Sequence, residues 1–84
     1  MELPTSERLA NALHKAGAPA RLVNGARLGH YDDYKSELTF PKLALVFDLR
    51  AANLHTFAVR VMRGEFNSSP EEASAWMKGF GRNA

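Results

Sequence analysis

Glycine and proline constrain this chain more than any other residues. Gly17 and Pro19, Gly29, Pro41, Gly64 and Pro70 cut it into short segments, most with apolar residues at helical spacing. A glycine just past a helix end supplies left-handed backbone, and proline suits the first helical position, where its missing N–H costs nothing. The pattern predicts an all-α fold: a compact bundle of four to five short helices, forming a single helical domain over residues 1–84.

The first helix is expected from Ser6 to Ala16, capped by Thr5 or Ser6, with Leu9, Leu13 and Ala16 on one face. Residues 19–28 allow a helix sharing Leu22, Val23 and Ala26 on one face, or a hairpin turning at Asn24-Gly25. Neither flank of that turn alternates cleanly and alanine is a poor strand former, so the helix is preferred. Gly25 then costs the helix about 1 kcal/mol relative to alanine. From Gly29 to Phe40 the chain reads as a loop. Asp32 and Asp33 favour local bonds to backbone N–H groups, and Tyr31, Tyr34, Leu38 and Phe40 pin the loop to the core.

Pro41 opens a third helix that runs to Ala52. Leu43-Ala44-Leu45-Val46-Phe47 is apolar on every side, which predicts the central and most buried element, with Val46 and Phe47 in the core. After a break at Asn53-Leu54, a fourth helix runs from His55 to Arg63, with Phe57, Ala58, Val61 and Met62 on its apolar stripe. Gly64 stops it, and Phe66 folds back on its last turn. Ser69-Pro70-Glu71-Glu72 starts a fifth helix, with Ser69 as cap, Pro70 first and Glu72 completing a capping box. Ala73, Trp76, Met77 and Phe80 form its apolar face. That stripe favours a core role for Trp76 over an exposed anchor.

A chain of 84 residues buries a small core, roughly 60–65% of the surface its unfolded form exposes. It has no cysteine, which excludes disulfides, thiolate metal sites and cysteine nucleophiles, and fits a reducing compartment. A net charge of +2 is too small to mark a nucleic-acid binder by itself. No apolar run approaches the ~20 residues of a membrane span, so no membrane partner is expected. The first residues lack the basic and apolar regions of a signal peptide, so the expected location is the cytoplasm.

No catalytic constellation stands out. Asp32 and Asp33 lack a third acid or histidine at ligand spacing, and His14, His30 and His55 are scattered. Ser69 is explained by capping. A non-enzymatic protein with no metal and no cofactor is therefore expected. Two binding surfaces suggest themselves. Tyr31, Asp32, Asp33, Tyr34 and Glu37 join carboxylates to tyrosines, a combination that suits a basic groove on a partner. Alternatively, Lys42, Arg50, Thr56, Arg60 and Arg63 lie on two consecutive helices that read as a helix-turn-helix-like DNA- or RNA-binding unit. Asp48 and Glu65 balance part of that charge, and Ala52-Asn53 stands where such turns usually carry glycine.

The order of these pieces resembles a set of small proteins carried by phages, prophages and other bacterial mobile elements. The resemblance rests on Gly29, Tyr31, Asp33, Tyr34 and Ser36, then Pro41 with Leu45, Val46 and Leu49. Gly64, Glu65, Phe66 and Asn67 follow, and Glu71, Glu72, Ala73 and Trp76 close it. It departs at Asn67, where Asp is commoner, and at Glu37, where Pro is. Genes of this size and origin often encode inhibitors of host defence, the anti-CRISPR proteins among them. The resemblance therefore implies a protein that binds and inhibits a host protein complex, such as a CRISPR effector complex, by blocking its nucleic-acid binding. Nucleic acid itself is the second expected partner.

Overall fold

The computed structural model describes residues 3–32, 40–78 and 80. The described residues form five helices: α1 (Thr5–Lys15), α2 (Ala20–Arg27), α3 (Phe40–Ala51), α4 (His55–Met62) and α5 (Pro70–Lys78). The fold is all-α, with no strand among the described residues. Residues 19–28 make a helix, and Gly25 has a packing reason. A Cβ there would lie 3.1 Å from the Tyr31 hydroxyl, so the bare glycine makes room for that ring.

Helices α1 to α4 all end in the same way. The N–H after each C-cap bonds the carbonyl three residues back, and the next N–H bonds the carbonyl five back: Gly17 to His14 and Ala18 to Leu13, for example, at 3.1 and 3.0 Å. The left-handed residue is Gly17, Gly29 and Gly64 after α1, α2 and α4. After α3 it is Asn53, with φ of 63°, one of the few side chains that tolerates this region. The turn between α3 and α4 therefore needs no glycine.

The starts of α1, α2 and α3 each differ from expectation by one residue, at Thr5, Ala20 and Phe40, and the cap of α1 differs in kind. Neither Thr5 nor Ser6 caps α1, whose N-cap is Pro4 with no side-chain cap bond. The Thr5 hydroxyl instead donates to Glu72 Oε1 at 3.0 Å, and the Ser68 hydroxyl, 2.9 Å away, completes the chain of bonds. The start of α1 is thereby tied to the start of α5. There the capping box forms: the Glu72 N–H donates to Ser69 Oγ at 3.1 Å. The Glu72 carboxylate reaches one residue further back than in the usual box, to the Ser68 N–H at 3.3 Å.

One core joins all five helices, through Leu9 and Leu13, Leu22 and Ala26, Leu45 and Leu49, Phe57 and Val61, and Trp76. Trp76 is a core residue, 3% exposed, with its indole N–H bonded to the Val61 carbonyl at 2.7 Å. Two sequence expectations for α3 fail. Phe47 is 60% exposed, whereas Leu45, Val46 and Leu49 carry the core. A helix apolar all round can rotate without an obvious penalty, and here Phe47 lies with Ala44 and Ala51 on the outer side. Lys42, expected at the surface, is fully buried, with Nζ 4.7 Å from the centre of the Trp76 ring. Its aliphatic stem lends itself to burial, and the indole face attracts the ammonium.

Candidate functional site

An open groove of about 560 Å³ runs between α1 and the end of α4, lined by Leu3, Arg8, Asn11, Ala12, Lys15, Ala16, Phe57, Arg60 and Phe66. Each wall follows from local sequence. On α1, Arg8, Asn11, Ala12 and Lys15 recur at i, i+3, i+4 and i+7, beside the Leu9/Leu13 core stripe. Arg8 and Lys15 are two turns apart, about 10 Å along the helix axis. Neither forms an ion pair among the described residues.

The floor is aromatic. Gly64 takes φ of +76°, which turns the chain sharply after α4 and returns Phe66 to Phe57. The two rings stack with centroids 5.0 Å apart and planes 17° from parallel. No side chain fits at Gly64, because a Cβ would lie 2.9 Å from the Ala73 backbone. Arg60 lies over this floor, its guanidinium carbon 5.0 Å from the Phe66 ring centre and 5.8 Å from that of Phe57. Its Nε–H donates to Glu65 Oε1 at 3.0 Å. The side chain remains 46% exposed. The groove thus combines three cations, one carboxylate at the rim and a stacked aromatic base. It has no nucleophile–base pair, and among the described residues no group of three acids, histidines or cysteines could hold a metal.

The residues singled out by sequence divide sharply. Of the arginine set, Arg50, Thr56, Arg60 and Arg63 are exposed. Lys42 leaves the set, since its buried ammonium cannot reach a surface ligand. Arg60 belongs to the groove, where its partners are Phe57, Phe66 and Glu65.

Of the acidic and aromatic set, Asp33, Tyr34 and Glu37 lie outside the described residues. Tyr31 and Asp32 are half-buried. Tyr31 packs against the core, and burial pushes its phenol upward, with Asp48 adding to the shift and Arg21 offsetting it. Asp32 has one carboxylate oxygen shielded from solvent with no hydrogen-bond partner among the described residues. Burial, followed by repulsion from Glu72, raises its pKa.

No protein-family model matches the chain, and no curated protein or solved structure is detectably similar to it. No helix among the described residues is long and apolar enough to cross a membrane.

Proposed function

We propose that this protein acts by non-covalent binding rather than catalysis, and that its ligand is a single nucleic-acid strand held in the groove between α1 and α4. One observation carries this reading: the Arg60 guanidinium lies 5.0 and 5.8 Å from the Phe66 and Phe57 ring centres, and Arg8 and Lys15, which form no ion pair among the described residues, line the same groove. Phosphates engage Arg8 and Lys15, and a base lies on the flat guanidinium of Arg60. Cationic walls with planar stacking surfaces are the usual means of holding unpaired strands. This departs from a helix-turn-helix reading, because the groove uses α1 and the flank of α4 rather than a helix entering a duplex.

The test is binding of a labelled oligothymidylate, followed by anisotropy against salt concentration. Two phosphate contacts give a slope of about −1.4 in log K against log salt. Arg8→Ala with Lys15→Ala should weaken binding about tenfold or more and flatten the slope. Wild-type affinity in that double variant would refute the reading.

A second reading keeps the mobile-element resemblance: the protein binds and inhibits a host protein complex, as an anti-CRISPR protein does. Phe47 favours it, because an aromatic side chain 60% exposed between Ala44 and Ala51 suits insertion into an apolar pocket. Capture from bacterial lysate with and without nuclease separates the two. Stoichiometric proteins retained after nuclease, and lost in Phe47→Ala, support the second reading. Nucleic acid, or partners that vanish on nuclease treatment, support the first.

A further inference from the structure

Arg60 has two kinds of partner at once. Its guanidinium carbon lies 5.0 Å from the Phe66 ring centre and 5.8 Å from that of Phe57, while its Nε–H is bonded to Glu65. With that bond made, the side chain remains 46% exposed. Glu65 is held in place by the turn at Gly64, where its own N–H donates to the Arg60 carbonyl at 3.2 Å. The carboxylate is therefore tethered beside the cation. It competes with any incoming anion at an effective concentration on the order of millimolar or above. Arg8 and Lys15 carry no such competitor among the described residues.

We infer that Glu65 is a specificity-determining residue of the groove: by neutralising Arg60 in place, it makes base stacking rather than charge select a nucleic-acid strand over other polyanions. The inference rests on the strand-binding reading above. A ligand that offers charge alone meets two uncompensated cations, and must displace a tethered carboxylate to gain the third. A strand places phosphates on Arg8 and Lys15 and lays a base on the outer face of Arg60 with the Glu65 bond intact. Planarity matters here: a guanidinium stacks, whereas an ammonium is only a point charge.

The experiment compares full-length wild type, Glu65→Gln and Arg60→Lys against oligothymidylate and inorganic polyphosphate of matched charge. Glu65→Gln should tighten polyphosphate about fivefold, the scale of one exposed ion pair, and oligothymidylate about twofold or less. The preference for the strand then narrows. Arg60→Lys should weaken oligothymidylate about tenfold and leave polyphosphate within about twofold, since charge is kept and the stacking plane lost. Equal changes for both ligands in both variants would overturn the inference, as would an unchanged preference in Glu65→Gln. If wild type binds the strand and the preference does not move, Glu65 alone loses its role. If wild type binds neither ligand, the groove reading falls and this inference with it. Unchanged thermal midpoints in both variants confirm that the ratios report binding.

Discussion

The indole N–H of Trp76 donates to the Val61 carbonyl at 2.7 Å, and the same carbonyl accepts the Gly64 N–H at 2.9 Å. Both lone pairs of one oxygen are thus committed, one to fixing α5 on α4 and the other to the turn that returns Phe66 to the groove floor. Trp76→Phe keeps most of the ring and loses the hydrogen bond. In urea denaturation it should cost about 1–3 kcal/mol, including the penalty for a less satisfied buried carbonyl. Trp76→Ala should cost about 3–5 kcal/mol, enough to unfold a domain of this size. A stability unchanged in Trp76→Phe would show that this bond does not hold α5.

Two apolar residues on α3 separate core from surface. Leu45 is fully buried and Phe47 is 60% exposed. Leu45→Ala should lower stability by about 2–5 kcal/mol, and Phe47→Ala by under about 1 kcal/mol. Chemical denaturation of the two variants checks the rotation of α3 directly. Equal losses would mean that Phe47 is packed.

Gly64 and Gly17 have nearly the same φ, +76° and +79°, but different surroundings. Alanine at Gly17 meets open space and should cost only the left-handed penalty, about 1–2 kcal/mol. Alanine at Gly64 also collides with the Ala73 backbone at 2.9 Å, so its loss in thermal midpoint should be clearly larger. Oligothymidylate affinity should fall with it, because the turn at Gly64 returns Phe66 to the groove floor. Equal midpoints for the two variants would contradict the close approach of α5 to this turn.

Asp32 predicts a pH dependence. Its carboxyl is raised above the ordinary value of 3.8, first by burial and then by Glu72, so the folded state holds the proton more tightly than the unfolded state. Ionising it costs stability. The loss is absent well below 3.8 and develops as pH rises through the folded value. Asp32→Asn should therefore raise the thermal midpoint near neutral pH, and the gain should shrink to nothing in acid. A gain that persists or grows in acid would reverse the sign of this account.

Much of the fold is legible because helix ends depend on local chemistry. Gly17, Gly29 and Gly64 mark left-handed C-caps, and Ser69-Pro70-Glu71-Glu72 marks a start; each needs only its neighbours. Facing is less legible. The run from Leu43 to Phe47 gives no polar residue to orient it, so the outward turn of Phe47 depends on packing between helices. Lys42 misleads for a related reason: it packs against Trp76, which is distant in the chain. The groove is the least legible part. Arg60 is legible as a cation, but its phenyl floor exists only because Gly64 folds Phe66 back. Arg8 and Lys15 belong to no motif, and only their i, i+7 spacing beside the α1 core stripe puts them on one flank.

The most direct measurement is a titration of isotope-labelled protein with oligothymidylate, following backbone amide and arginine Nε–H signals by NMR. The account predicts saturable shifts in residues 8–16 and 57–66, with the Arg60 Nε–H among the largest. Shifts confined to the Ala44–Phe47–Ala51 face of α3, or none in the groove at saturating strand, would contradict it.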